Sequence, residues 1–302
     1  MKLRLGKLSY LNNAPMYYGL PRNNHSLLTE SCTIVEGPPS YLNHCIRQKE
    51  IDLTVASSIE YARNFEGYLI LPDLSISSDG PVQSVLLLSK APMEELHGQP
   101  LLLTSDSETS VGLVKILLSQ RGIEPVYIRG KVPGQGGPEA GGNGGNGSCC
   151  PPPEFTAFLV IGDRALHLWQ SEKERGPYSY LYDLGEEWKK MTGLPFVFAL
   201  WMVRKEAFCQ APELVFQVQQ ALLDSRDYSL THLEEFIASV KTQPKLPAAV
   251  CRSYIQNLRY ELSSRYQQGL LRYYKYLHEM GEIPQPVQGL ELLPCQKFQH
   301  LI

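Results

Sequence analysis

Ser31-Cys32-Thr33-Ile34-Val35-Glu36-Gly37-Pro38-Pro39, then Ser40–Lys49, then Ile51-Asp52-Leu53-Thr54-Val55-Ala56 is the stretch that decides the fold. Ser31–Glu36 is rich in β-branched residues and predicts a strand, which Gly37-Pro38-Pro39 ends. Ser40–Lys49 predicts a helix, with Ser40 as N-cap and Leu42, Cys45 and Ile46 on one face. Ile51–Ala56 is a short apolar run and predicts a buried strand. Upstream, Leu3–Leu8 alternates apolar and polar residues as a strand does, and Asn13–Leu20 reads as a turn or short helix. Strand, helix and strand alternating over short links favour a parallel sheet.

The same grammar continues downstream. Val82–Ser89 and Leu101–Leu103 read as strands, and Val111–Gln120 as a helix with Leu113, Val114, Leu117 and Leu118 in a stripe. Val126–Arg129 and Phe155–Ile161 extend the sheet, and Leu194–Val203 is long enough to carry the chain back between two lobes. The remainder reads as helices over Pro212–Ser225, Leu230–Lys241, Arg252–Arg265 and Gln267–Met280. The expected architecture is α/β and two-lobed with an interlobe cleft and C-terminal helices. Residues 1–87 and 196–302 are expected to make the first lobe and 88–195 the second. Gly130–Pro153 is almost wholly Gly, Pro and small polar residues, too poor in apolar surface to offset its ordering entropy, and reads as a disordered surface insertion.

Apolar runs repeatedly end in small polar residues. Ser9-Tyr10-Leu11-Asn12, Ser57-Ser58, Ser75–Gly80, Thr104–Ser110 and Gly162-Asp163 each follow one. Ligands of α/β sheets bind outside the carboxyl ends of strands. One polar cleft for a small, hydrogen-bonding anion is therefore expected. The net charge of −3 supplies no basic field for nucleic acid or an acidic membrane. No apolar stretch is long enough to span a bilayer. Met1–Lys7 does not read as a signal peptide, and seven cysteines without a C-x-x-C pair read as reduced thiols; both point to the cytoplasm. No metal-spaced Cys/His cluster, H-E-x-x-H or G-x-S-x-G motif is present. Nothing in the sequence sets an oligomeric state.

Three stretches together resemble the MqnA family of chorismate dehydratases, from the futalosine route to menaquinone: Ser9–Asn12, Pro72–Val82 and Trp188–Trp201 with its Thr-Gly-Leu-Pro-Phe-Val-Phe-Ala-Leu-Trp run. The resemblance implies a type II periplasmic-binding-protein-like fold and a lyase that converts chorismate to 3-[(1-carboxyvinyl)oxy]benzoate and water. Since aromatisation drives that reaction, it implies no metal or other cofactor. It implies a central Asn12, read as an orienter and charge stabiliser, with the side-chain carboxylate of chorismate as proton acceptor. The 130–153 insertion departs from the family pattern. The rival readings are a non-catalytic small-anion-binding protein of the same fold, the sister 1,4-dihydroxy-6-naphthoate synthase, and the sensing domain of a regulator.

Asn12 and Ser84 are the candidate catalytic residues. Ser9, Tyr10, Ser57, Ser58, Thr104, Ser105, Thr109, Ser110 and Phe196 are the candidate substrate contacts. Ser105-x-x-Glu108 fits a capping box, and free N–H groups beyond it suit a carboxylate. Glu108 would oppose an anion and is expected to point away. Asp163 reads as a helix cap. The aromatic stripes of the C-terminal helices read as core.

Overall fold

The computed structural model describes residues 2–20, 30–133, 153–242 and 244–294. In chain order its strands are β1 Leu3–Leu8, β2 Cys32–Gly37, β3 Leu53–Ser57, β4 Tyr68–Ser78, β5 Val85–Ser89, β6 Pro100–Thr104, β7 Val126–Gly130, β8 Ala157–Ile161, β9 Tyr180–Asp183 and β10 Phe196–Arg204. They form two five-stranded sheets, ordered β2-β1-β3-β10-β4 and β7-β6-β8-β5-β9. β1 runs parallel to β2 and β3, and β6 parallel to β7 and β8. β10 and β5 run antiparallel to their neighbours, so both sheets are mixed. The helices cover faces that the strands leave apolar: β3, β5 and β8 are buried along their whole length, as strands covered on both sides must be.

The chain leaves the first sheet after Ser78 and returns at Phe196. The expected division after residue 87 cuts β5. Val85–Ser89 pairs along its length with β8, so the whole strand belongs to the second sheet. Nor does that strand start at Val82, because Gln83 has φ +63, which breaks extended structure. The two crossovers are fastened to each other by Asp183. Its buried carboxylate accepts from the N–H groups of Val82 (2.9 and 3.0 Å) and Gln83 (2.5 Å) on one crossover. It also accepts from Gly185 (2.9 Å) and Glu186 (3.1 Å) at the start of the helix Leu184–Thr192 on the other.

Three local expectations are corrected. The helix Pro39–Arg47 starts one residue early, with Pro39 in its first turn and Pro38 rather than Ser40 at the cap; proline has no N–H there to leave unpaired. Ser75–Ser78 are not a polar tail, since β4 continues through them and Ser75, Ser77 and Ser78 are buried. Their partner is the segment after the helix Ala248–Asn257: Ser75 N–H donates to Tyr260 O (2.8 Å), and Ser77 and Arg259 exchange two backbone bonds of 2.9 Å. That pairing is why the helix expected over Arg252–Arg265 stops at Asn257, with Leu258 extended at φ −66, ψ 153.

The last helix, Ser264–Glu279, joins the two halves. Tyr274 donates to Ser58 O (2.7 Å) and Tyr273 to Thr109 O (3.0 Å), at the first turns of the helices Ser58–Arg63 and Glu108–Ser119. One apolar cluster runs from Leu3, Leu53 and Trp201 of the first sheet to Leu87 and Leu103 of the second, through Leu113 and Tyr273. Each such side chain stabilises the fold by about 1.5–3 kcal/mol over its exposed state. Of the 130–153 insertion, 134–152 lie outside the described residues.

Candidate active site

Between the sheets lies a cavity lined by Leu8, Tyr10 and Asn12 beyond β1, Ser57 at the end of β3, Ser84 before β5, and Ser107 and Ser110 at the start of the Glu108–Ser119 helix. Ile161 and Gly162 follow from β8, and Pro39, Val55, Ala56, Ile76, Val82, Val85, Phe198 and Ala199 complete the wall. Its composition is apolar walls with a few convergent hydroxyls and one amide. Its volume is about 50 Å³, against about 300–1,000 Å³ for typical small-molecule sites. The space between the sheets is therefore narrow for a small-molecule ligand.

Asn12 sits in a single 3-10 turn, Leu11–Asn13, held from four directions. Asn13 Nδ2 donates to Leu8 O (3.0 Å), and Asn13 N–H to Tyr10 O (3.1 Å). Tyr260 donates to Asn12 O (3.1 Å), and Leu11 N–H donates to Asp163 Oδ1 (3.2 Å) from the other sheet. The Asn12 side chain is thus presented by fixed backbone, while its Oδ1 is buried without a hydrogen-bond partner. A buried, unpartnered amide oxygen at a cavity is an acceptor held ready for a ligand donor.

Ser84 is held as firmly. Gly162 N–H donates to its carbonyl (2.8 Å), Asp183 holds the two N–H groups before it, and Tyr254 donates to its Oγ (2.8 Å). Gly162 has φ +67 and lies under the Tyr10 ring, where a Cβ would meet Cε1 at 3.1 Å; only glycine suits both demands. Ser57 begins the next helix without using its hydroxyl as a cap, leaving it for the cavity. Tyr10 Oη is buried and unpartnered. Burial, with Asp106 and Asp163 nearby, raises its pKa, so it stays neutral.

Of the residues singled out from sequence, Tyr10, Asn12, Ser57, Ser84 and Ser110 line the cavity. The others do not. Ser9 is exposed. Ser58 and Thr109 hydrogen-bond each other (3.3 Å) and tie two helices together. Thr104 accepts from Asp106 N–H (3.1 Å), and Ser105 Oγ meets Asp106 (3.4 Å). Phe196 packs on Trp188, Phe198 and Tyr273 in the core, and its neighbour Phe198 reaches the cavity instead. The helix cap is Ser107, which accepts from Ser110 N–H (3.2 Å), rather than Ser105 with Glu108. The sequence does not single out Ser107, because Ser105-x-x-Glu108 offers a competing cap spacing. Glu108 is drawn off by Arg63 and Arg129, which hold its carboxyl below the usual range against its burial.

Asp163 makes a pH-dependent contribution. Burial raises its pKa from 3.8 to about 6, against the stabilising Leu11 N–H. Its stabilising share is complete below pH 3.8 and is lost as pH rises through 6, leaving a cost of about 3 kcal/mol at neutral pH. Asp163→Asn keeps an acceptor for Leu11 and never ionises. Denaturant unfolding at pH 4.5 and 7.5 should show the variant gaining on the wild-type protein by about 2 kcal/mol between the two, because about 1 kcal/mol of the cost is already present at pH 4.5. A difference constant with pH would contradict this.

Among the described residues no group of three or more His, Cys, Asp or Glu side chains is placed to hold a metal ion, and no helix is long and apolar enough to cross a membrane. The chain is 29% identical over 272 residues to a chorismate dehydratase of Thermus thermophilus, covering 86% of this chain and 92% of that protein. It is 29% identical over 208 residues to a chorismate dehydratase of Campylobacter jejuni, covering 67% and 68%. In fold it is similar to an Archaeoglobus fulgidus protein (TM-score 0.66, 15% identity, 93% and 98% covered) and to the Escherichia coli periplasmic aliphatic sulphonate-binding protein (TM-score 0.62, 14% identity, 96% and 97% covered). It also resembles a Candida albicans protein with the generic periplasmic-binding-protein fold (TM-score 0.60, 9% identity, 98% and 99% covered). The two mixed sheets with their C-terminal helices have that fold, and the match of residues 3–279 to the menaquinone biosynthesis family makes the chain a member of it.

Proposed function

We propose that this protein is a chorismate dehydratase, a hydro-lyase that forms 3-[(1-carboxyvinyl)oxy]benzoate and water on the futalosine route and works in the cytoplasm. The observation that carries the reading is the buried, unpartnered Oδ1 of Asn12, which lines the cavity with Ser84, in a chain similar along most of its length to proteins of that name. The reaction removes the ring hydroxyl and one ring proton. The benzene ring so formed supplies the driving force. What remains for the protein is to hold a dianion, align the breaking bonds and stabilise developing charge.

Tyr10 is the one titratable side chain among the described cavity residues, and it is held neutral. A general base is then absent from the wall, which supports the substrate's own side-chain carboxylate as proton acceptor. No lysine or arginine lines the described cavity either. The carboxylates of the substrate would be met by Ser57, Ser84, Ser107 and Ser110 and by the first N–H groups of the Glu108–Ser119 helix. Asn12 would take the ring hydroxyl. Admission of chorismate requires the sheets to part, turning on the crossovers at 79–84 and 184–195.

Purified protein incubated with chorismate alone should yield a product lighter by one water, with the ultraviolet absorbance of a benzoate, followed by mass spectrometry. Chorismate that binds and is returned intact would favour a binding protein instead. Chorismate neither bound nor changed would dispose of the proposal.

A further inference from the structure

Tyr254 comes from the helix Ala248–Asn257, outside the cavity wall. It is 1% exposed, yet its hydroxyl is not consumed by backbone, as those of Tyr273 and Tyr274 are. It donates to Ser84 Oγ at 2.8 Å. The Asn12 amide lies near enough to the Tyr254 hydroxyl to favour its ionised form slightly. One phenol therefore bonds one candidate catalytic side chain and lies beside the other, and the two arrive from segments 72 positions apart in the chain.

The directions of these bonds matter. A tyrosine hydroxyl has one proton to give, and Asn can give through Nδ2 while accepting through Oδ1. With the Tyr254 proton on Ser84 Oγ, the serine's own proton is left to point elsewhere, and the cavity is the open side. Asn12 Oδ1, nearby, is buried without a partner. Burial pushes the Tyr254 hydroxyl well above its ordinary pKa, so its proton stays in place at working pH.

We infer that Tyr254 is a positioning residue for the dehydration, setting Ser84 as a donor toward the substrate. The inference rests on the dehydratase reading above. Tyr254 is not a contact of the reacting atoms. It acts by fixing which way the Ser84 proton faces. Preorganised donors matter most where charge develops, so removing the hydroxyl should lower turnover more than binding.

The test is Tyr254→Phe, which keeps the buried ring, measured beside Ser84→Ala and the double variant. Expected for Tyr254→Phe are a fall in kcat of at least about tenfold, a KM within about twofold of the wild-type value, and a near-native thermal midpoint. In the double variant kcat should fall no further than about threefold below Ser84→Ala alone, because the two groups act as one unit. Wild-type turnover with unchanged kcat in Tyr254→Phe overturns the inference and leaves the dehydratase reading standing. So do fully multiplicative losses in the double variant, or a loss of kcat that only follows lost folding in the thermal midpoint. No wild-type turnover overturns both.

Discussion

Asn12→Asp should lose at least about 200-fold in single-turnover rate with chorismate while folding normally, and Asn12→Ala at least about tenfold. The aspartate keeps the size of the side chain and is the stronger base, so a loss would show that basicity is not what position 12 supplies. Two effects add. A carboxylate about 5 Å from a substrate carboxylate costs about 3 kcal/mol at an effective dielectric constant of about 20. It also competes for the Tyr254 proton, which in the native protein goes to Ser84. The alanine variant suffers neither, and loses only the contact made through Oδ1. The turn itself should survive both changes, because its bonds run through Leu11 N–H, Asn12 O and the Asn13 side chain. Turnover by Asn12→Asp within threefold of the wild-type rate would remove this residue from the chemistry.

Gly269→Ala should destabilise the protein by about 3 kcal/mol, opposite in sign to the rule for helices. In an exposed helix interior the change gains about 1 kcal/mol. Gly269 instead lies where the helix Ser264–Glu279 meets the return segment, and a Cβ there would fall 2.1 Å from Pro195 O. The obstacle is backbone, and the same oxygen accepts from Trp188 Nε1 (3.1 Å), so moving it breaks a buried bond as well. Overpacking of this kind costs about 1–3 kcal/mol or more, and about 3 kcal/mol is a fall of roughly 5 °C in thermal midpoint for a chain of this size. Gln268→Ala, next to it on the exposed side, should be near neutral. Equal midpoints for Gly269→Ala and the wild-type protein would refute the close approach.

Much of the site was legible because strand ends announce themselves. Asn12, Ser57, Ser84 and Ser110 interrupt or follow apolar runs, and a hydroxyl at the end of a buried strand has few places to go but a cleft. Phe196 and Phe198 are two residues apart on one strand, and alternation alone does not say which of the pair reaches the cavity. Tyr254 was hidden for a different reason. In a helical stripe a tyrosine looks like core whether its hydroxyl meets a carbonyl or a catalytic serine, and its ring is core in either case. The usable signal was chemical: a buried tyrosine needs a partner for its hydroxyl, and Tyr254, Tyr260, Tyr273 and Tyr274 are four such demands in one C-terminal region. β9 leaves little signal in the sequence because it is a four-residue edge strand with little buried surface. The break at Leu258 was invisible because it is imposed by β4, 180 residues earlier, and not by any local breaker.

The place of β10 between β3 and β4 orders events on the ribosome. The first sheet has its first four strands by Ser78 but lacks the strand that joins β3 to β4 until Arg204 has been made. At about 5–20 residues per second that wait is roughly 6 to 25 s. The second sheet is contiguous, from Val85 to Asp183, and has all its strands while the first is still waiting. The half of the molecule that is translated second is the half able to finish first. Through this interval β4 carries one edge that β10 has yet to fill and another that residues 259–261 reach later still, which makes it the segment of the nascent chain most in need of shielding.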